Sequence, residues 1–287
     1  MIDEGGVKML DSYQYFKSGL QKKLFSLCAT LFLFCFATIT AAESAECNSL
    51  NMAVAWKQTA AEYRALYHQA YNIARDRVEA RLTLKVDRPL AVLMDMDDTI
   101  LNTTNYWGYL INQNMDFFDD PIWDEWIPAN KVVPTPGSLD FLNFCKKKGV
   151  EVFYITSRNQ GEKTYDFAME HLRINGFPYA DNQHLTVLTD TSNKKKRQDE
   201  IAQNYEIVLL MGDSLNDFDR IYYVADIEKR IGLMESTKNQ YGRKFILLPN
   251  PTDGHWIKAI FGDSEPPATD KNRAILKQAA TRSMWQK

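Results

Sequence analysis

The stretch Leu90–Leu101, LAVLMDMDDTIL, joins a short apolar run to a dense acidic cluster. Its first five residues, Leu90–Met94, have the length and composition of a strand that is buried on both faces, as in a parallel sheet. Asp95 and Asp97 follow directly, and an extended backbone points two residues at this spacing to the same side. Buried carboxylates are costly unless they are paired or bind a metal. The stretch therefore predicts a central strand that ends at a polar site.

Similar apolar runs recur along the chain and alternate with segments of helical periodicity. The further predicted strands are Glu151–Thr156, Ile207–Met211 and Phe245–Leu248, with a weaker candidate at Leu185–Leu188. The predicted helices cover residues 47–82, 139–148, 163–175, 194–203 and 217–224. This alternation predicts an α/β fold, with a Rossmann-like parallel sheet covered by helices on both faces. A small, mostly helical cap is expected in addition.

Polar residues follow the apolar runs at the points where ligands bind in such sheets, beyond the carboxyl ends of the strands. The first strand ends in Asp95–Thr99, the second in Thr156–Arg158 and the third in Gly212–Asp217, while Ser192–Lys194 begins a helix. Several carboxylates that converge at one edge imply a bound cation. Oxygen ligands with retained water suit Mg²⁺, which is the cofactor the sequence predicts.

The residue types in these clusters fit phosphoryl transfer. Asp95 can stay ionised beside a metal and attack phosphorus, whereas Asp97 can give a proton to the leaving group and later take one from water. Asp213 supplies another oxygen ligand, Thr156 a hydroxyl for a phosphate oxygen, and Lys194 a compensating positive charge. Positioning and charge neutralisation are most of what this chemistry requires. The predicted reaction is therefore transfer of a phosphoryl group to Asp95.

The constellation resembles the haloacid dehalogenase (HAD)-like phosphatases, whose four sequence motifs occur here in order. They are matched by Asp95, Asp97 and Thr99, then Thr156, then Lys194, then Gly212, Asp213 and Asp217. Lys195 and Lys196 are rivals of Lys194 for the third motif. Each motif alone is weak, but four in order, each beside a suitable strand, are specific.

A closer resemblance, to the secreted class C acid phosphatases of the lipoprotein-e type, covers about residues 50–262. It is carried by Asp95–Leu101, Trp123 with Trp126, Phe153–Arg158, Gly212–Phe218 and Leu247–Trp256 (LLPNPTDGHW). The resemblance implies a Mg²⁺-dependent phosphomonoesterase that forms an aspartyl-phosphate and acts on small phosphomonoesters, with nucleotides (a 5'-nucleotidase activity) among the candidates.

The same resemblance implies a metal site. The Asp95 and Asp213 side chains and the Asp97 backbone carbonyl would hold the metal, with Asp217 as a further acidic partner. One departure from the family pattern is Asn216, which stands where relatives often carry an Asp. The other is a missing lipobox, because Glu46 directly precedes Cys47.

Substrate-binding residues are expected at two places. Ser157 and Arg158 follow the catalytic threonine at the end of the second strand. Trp107, Trp123 and Trp126 lie soon after the nucleophile, where they would either stack on a nucleobase or form the core of a small cap.

The N-terminal region predicts a secretory signal peptide over residues 1–42. Lys22 and Lys23 precede an apolar run, Leu24–Ile39, which ends at small residues including Ala42. The run is shorter than the ~20 residues of a membrane-spanning helix, so no stable anchor is expected after cleavage. The expected product is periplasmic or secreted.

The sequence also predicts the domain organisation. A phosphatase domain would cover residues 43–261, with an N-terminal helical part at 47–86 and an insert at about 101–135. A linker and C-terminal helix would follow at 262–287.

Composition excludes some other functions. The 287 residues carry 34 Lys+Arg and 37 Asp+Glu, and there is no long basic run outside Lys194–Arg197, which argues against a nucleic-acid polymer as partner. Cys47 and Cys145 would remain after signal cleavage. The sequence leaves open whether they form a disulfide and whether the protein is a homo-oligomer.

There are two alternative functions. One is a phosphotransferase that uses the same intermediate, and the other is a non-catalytic binding or storage protein on the same fold.

Overall fold

The computed structural model describes residues 48–129 and 131–283. The predicted signal peptide at 1–42 and Cys47 lie outside the described residues, whereas Cys145 is buried. Within the described ranges, no helix has the length and apolar character that crossing a membrane requires.

The described chain alternates helices with strands as the sequence predicts. The strands are β1 (Leu90–Met94), β2 (Leu101–Asn102), β3 (Val133–Pro134), β4 (Glu151–Ser157), β5 (Leu185–Leu188), β6 (Glu206–Gly212) and β7 (Phe245–Leu247). The helices are α1 (Asn51–Thr59), α2 (Ala61–Leu82), α3 (Thr104–Asn112), α4 (Asp120–Trp126), α5 (Ser138–Lys147), α6 (Thr164–Ile174), α7 (Lys195–Asn204), α8 (Ile227–Ser236), α9 (Trp256–Phe261) and α10 (Asp270–Ala280).

Five strands form one parallel sheet in the order β5-β4-β1-β6-β7. Met94, the last residue of β1, is aligned with Tyr154 of β4 and Met211 of β6. The backbone N–H of Asp95 then donates to the Met211 carbonyl at 3.0 Å. The carboxyl ends of the three central strands are therefore level, and the residues that follow them emerge at one edge.

Apolar side chains of the sheet divide between two buried layers. Val92 and Met94 belong to a large core with α2, whereas Ala91 and Leu93 belong to a smaller core with Phe218. Because successive side chains of a strand point to opposite faces, a strand that is apolar throughout must be covered on both sides. This confirms the predicted α/β fold with helices on both faces of a parallel sheet.

Between β1 and β4 the chain forms a small, mostly helical insert. It contains the antiparallel pair β2 and β3, helices α3 and α4, and a 3₁₀ turn at Ile127–Ala129. Tyr106 lies at the centre of its aromatic core, with ring contacts to Trp107, Phe118, Trp123 and Trp126.

Two helix predictions were wrong in detail. The single helix expected over residues 47–82 is two helices, because Ala60 has an extended backbone with ψ of 128°. The helix expected over 217–224 is replaced by short 3₁₀ turns at Leu215–Asp217 and Arg220–Tyr222. In this segment Asp217 and Asp219 accept hydrogen bonds from the backbone N–H groups of Ser214 and Ile221, which favours tight turns over a continuous helix.

Candidate active site

Asp95 lies just beyond the end of β1 and is buried. One oxygen of its carboxylate accepts a hydrogen bond from the Thr99 hydroxyl at 3.0 Å, and the other accepts one from the Lys194 ammonium group. Burial is the largest influence and, against the opposing charge of Lys194, raises the pKa of Asp95 to about 7. The carboxylate is thus held at a fixed place, in an environment that requires a compensating positive charge.

Lys194 supplies positive charge from the residue that precedes α7. Its ammonium group contacts the carboxylates of both Asp95 and Asp217, with a distance of 2.7 Å to Asp217. Burial would lower the pKa of Lys194, but the charges of Asp217 and Asp95 raise it above its usual value. Of the three consecutive lysines considered for this role, Lys194 is therefore the one that the structure places against Asp95.

Asp213 and Asp217 follow β6 and complete an acidic triad with Asp95. One carboxylate oxygen from each of the three residues lies within 4.8 Å of the others. A side chain on Gly212 would prevent this arrangement, because its Cβ would lie 2.2 Å from the nearer Asp217 oxygen. The glycine of the fourth motif therefore allows Asp217 to fold back against the end of β6.

The acidic triad fits a divalent cation. Burial, together with the charges of Asp217 and Asp95, raises the pKa of Asp213 well above its usual value. Carboxyl groups this close repel one another as anions, and a hard cation with oxygen ligands relieves that repulsion. The donor set suits a divalent metal ion with oxygen ligands, which agrees with the sequence prediction of a metal site at this edge of the sheet.

Asp97 is held by an arginine. Arg158 donates to both carboxylate oxygens of Asp97, at 2.5 and 2.7 Å, and its side chain is 1% exposed. The same guanidinium group donates to Nδ1 of His171 at 2.9 Å, while Nε2 of His171 lies 3.1 Å from the Ile127 carbonyl. Burial, followed by the charge of Arg158, lowers the pKa of His171 to about 4, so its ring is neutral and accepts from the arginine.

Asp98 occupies the bend after Asp95, with a left-handed backbone at φ of 49°. Its carboxylate is buried and accepts from the Lys57 ammonium group at 2.8 Å and from the Thr103 hydroxyl at 2.8 Å. Asn250 donates to both Asp98, at 3.2 Å, and Asp213, at 2.6 Å. The sequence assigned no role to Lys57, Asp98, Thr103 or Asn250, although Asn250 lies in the LLPNPTDGHW segment that carried part of the resemblance.

Comparisons with known proteins agree with this geometry. The family model for the HAD superfamily, subfamily IIIB (acid phosphatase), matches residues 34–256. The chain belongs to this acid phosphatase family. It is therefore a phosphomonoester hydrolase.

Solved structures of the family give the same result. The class C acid phosphatase from Bacillus anthracis superimposes with a TM-score of 0.75 at 28% sequence identity, over 84% of this chain and 98% of that chain. A structure of the Bacillus anthracis enzyme with tungstate bound matches with the same values. The resemblance seen in the motifs is thus confirmed, and so is the fold.

The acid phosphatase has a cavity of about 330 Å³ around these groups. Of the residues predicted from sequence, the cavity lining includes Asp95, Asp97, Trp107, Trp123, Thr156, Ser157, Lys194, Asp213 and Asp217. Phe118 and Tyr223 add aromatic surface, and Asp253, His255 and Glu265 add titratable groups. Burial raises the pKa of Asp253 to about 6 and lowers that of His255 to about 4.

Two residues predicted to bind substrate do not line this cavity. Trp126 is buried behind Trp123, with ring centroids 5.5 Å apart, and packs in the core of the insert. Arg158 is buried, and its guanidinium group is engaged by Asp97 and His171 rather than facing the cavity. The structure places Arg158 beside the site, where its direct partner is the carboxylate of Asp97.

Proposed function

We propose that the enzyme hydrolyses small phosphomonoesters through a phosphoryl-aspartate formed on Asp95. The observation that carries this proposal is the position of the Asp95 carboxylate, which lies at the end of the central strand against Lys194 and the other acidic residues. This arrangement presents an oxygen nucleophile beside the positive charge that a phosphate dianion requires.

The chemistry assigned to the protein residues has two steps. In the first, an Asp95 oxygen attacks phosphorus, the bond to the leaving group breaks, and Asp97 donates a proton to the departing oxygen. In the second, Asp97 takes a proton from a water molecule and the water oxygen attacks phosphorus. The bond between phosphorus and the Asp95 oxygen breaks, which releases inorganic phosphate and regenerates the Asp95 carboxylate. Thr156 and Lys194 would hold phosphate oxygens throughout.

Mg²⁺ is the proposed cofactor. The carboxylates of Asp95, Asp213 and Asp217 and the backbone carbonyl of Asp97 would hold it, and when bound it would neutralise charge on the phosphate. The support for this assignment is the close approach of three buried or half-buried carboxylates.

Nucleotides are the proposed substrate class within the phosphomonoesters. Trp107 and Trp123 line the cavity next to the catalytic carboxylates, so an aromatic leaving group would have rings to stack against. Release of phosphate from nucleoside 5'-monophosphates, compared with glycerol phosphate, tests this preference.

Export is proposed from the sequence of the N-terminal region. The basic residues followed by a short apolar run favour removal of residues 1–42 and a periplasmic or secreted product. Cell fractionation combined with N-terminal sequencing of the mature protein tests this proposal, and full-length protein retained in the membrane would contradict it.

The phosphatase mechanism is tested by removing the nucleophile and the metal separately. Asp95→Asn should abolish phosphate release with little change in the circular dichroism spectrum, because it removes the attacking anion and keeps the shape of the side chain. EDTA should inactivate the wild-type enzyme, and Mg²⁺ should restore it. Activity that survives either Asp95→Asn or removal of the metal would contradict the mechanism.

A further inference from the structure

A buried polar network joins helix α1 to the acidic triad through Asp213, whereas Lys194 contacts the other two members, Asp95 and Asp217. The network consists of Lys57, Asp98, Asn250 and Thr252, and its contact with the triad is Asp213. Lys57 is a lysine with a fully buried side chain at the end of α1. A buried ammonium group is costly unless it is fully paired, so its partners define what it does.

Lys57 has a partner for each of its three N–H groups. They are the Asp98 carboxylate at 2.8 Å, the Thr252 hydroxyl at 2.9 Å and the Asn250 amide oxygen at 3.4 Å. The ammonium group thus ties the bend after β1 to the loop after β7. Neither loop is regular secondary structure, so these contacts fix their relative position.

The orientation of the Asn250 amide follows from its oxygen. That oxygen accepts from the backbone N–H of Thr252 at 3.1 Å and from the Thr252 hydroxyl at 2.7 Å, in addition to Lys57. With the oxygen held by donors, the amide nitrogen must point the other way. Its two hydrogens meet two carboxylates, Asp98 at 3.2 Å and Asp213 at 2.6 Å.

The charges of the network and of the triad together leave an excess that suits a divalent cation. If Asp95, Asp98, Asp213 and Asp217 are ionised, Lys57 and Lys194 leave two negative charges uncompensated among these six groups. That excess equals the charge of one divalent cation. Without Lys57 the carboxylate of Asp98 would add a further negative charge next to Asn250.

We propose that Asn250 is a positioning residue for the metal ligand Asp213, and that Lys57 acts on the metal site through Asn250. Asn250 donates a hydrogen bond to one Asp213 oxygen. The other Asp213 oxygen lies 3.5 Å from the Thr99 hydroxyl, which donates to Asp95, so this second oxygen is on the side of Asp95. Groups that orient a metal-binding carboxylate in this way contribute about 10- to 100-fold to metal affinity. This inference rests on the proposed function, since it assumes that Asp213 binds Mg²⁺.

The test is a direct measurement of Mg²⁺ binding. Metal-stripped full-length protein is titrated with MgCl₂ in a calorimeter, in the absence of phosphate. Asn250→Ala should raise the dissociation constant for Mg²⁺ about 10- to 100-fold, whereas kcat at saturating Mg²⁺ should change by less than about fivefold. Asn239→Ala, at an exposed position of the same residue type, is the matched control and should bind as the wild type does.

A double variant tests the role of Lys57. Lys57→Met should also weaken Mg²⁺ binding, and combining it with Asn250→Ala should add little, because both changes interrupt the same path. Independent, additive effects would show that Lys57 does not act through Asn250. Asn250→Ser gives the same test as Asn250→Ala if the alanine variant does not fold.

Failure of this inference can be told apart from failure of the proposed function. A wild-type protein that binds no Mg²⁺, or an Asp213→Asn variant that binds it normally, would remove the metal assignment itself. If both of these behave as expected and Asn250→Ala binds Mg²⁺ like the wild type, only the positioning role is overturned.

Discussion

At the scale of single residues, Arg158 fixes the position of the Asp97 carboxylate, which is the proposed acid and base. The guanidinium group holds both oxygens of Asp97 and is itself fixed by His171, which accepts through Nδ1. Such a two-point contact fixes both the position and the plane of the carboxylate. An acid or base that acts on the substrate needs this geometry, since proton transfer depends on hydrogen-bond reach.

Arg158→Met should therefore lower kcat about 10- to 100-fold, because Asp97 loses its orientation. The loss should be larger for alkyl phosphates than for 4-nitrophenyl phosphate, whose leaving group needs little help from an acid. Steady-state kinetics on the two substrates measure this difference.

Arg173→Ala, at an exposed position on α6, serves as the control and should leave both rates unchanged. Equal losses on the two substrates, together with a rise in KM, would instead favour the direct substrate contact that the sequence predicted for Arg158.

Some residues of the site could be predicted from the sequence, and others could not. Asp95 and Asp213 directly follow apolar strands and Lys194 begins a helix that connects two strands, so their convergence could be predicted from parallel topology. Lys57 has no such signal, because a lysine near the end of a helix is usually exposed. The burial of Lys57 becomes visible only in the folded structure, where its side chain is 0% exposed and contacts Asp98.

At the scale of elements, the strands were predicted well and the helices less well. A run such as Ile207–Met211, apolar at every position, has few alternatives to a buried strand, and β6 includes it. The break at Ala60 could not be seen in the apolar spacing, which continues across it. It allows α1 to direct Lys57 to the Asp98 carboxylate, while Tyr67 on α2 donates to the Asp98 backbone carbonyl at 2.5 Å.

The insert between β1 and β4 both packs an aromatic core and lines the cavity. Single substitutions can separate these two roles. Trp126→Ala should lower the free energy of unfolding by about 3–5 kcal/mol, since it leaves a cavity in a packed aromatic core, but should not change the relative KM values of substrates. Trp123→Ala should lower stability too, and should also raise KM for nucleoside monophosphates about tenfold relative to glycerol phosphate.

Urea denaturation and steady-state kinetics on both variants check these outcomes. A Trp123→Ala variant that is destabilised but keeps its substrate preference would show that this residue belongs only to the core of the insert.

At the scale of the whole molecule, the metal site makes stability depend on pH. Burial and neighbouring carboxylates raise the pKa of Asp213 well above its usual value in the metal-free protein, and burial raises that of Asp95 to about 7. The folded state therefore keeps protons that the unfolded chain has already lost. Because the folded state binds more protons, its stability must fall as the pH rises through the raised pKa values.

Metal-stripped protein should accordingly have a lower Tm at pH ~8.0 than at pH ~6.5, by about 3 °C or more, since 1 kcal/mol corresponds to roughly 2–4 °C for a domain of this size. His171 and His255, whose pKa values burial lowers to about 4, affect stability mainly below this range. Differential scanning calorimetry with and without Mg²⁺ measures the effect.

Added Mg²⁺ should raise the Tm more at the higher pH, because the metal competes with protons for the same oxygens. In Asp213→Asn the pH dependence over this range should be smaller. A metal-free protein that becomes more stable between the two pH values would contradict the assignment of these carboxyl groups.

The link between Lys57 and the loop that carries Thr252 has a consequence for biosynthesis. These partners are separated by 195 positions along the chain. The ammonium group cannot reach its full set of acceptors until nearly all of the polypeptide has left the ribosome, and closing so long a loop is slow. The catalytic centre is thereby completed only late in synthesis, and under the export proposed above this delay would leave the chain unfolded when it meets a translocation channel.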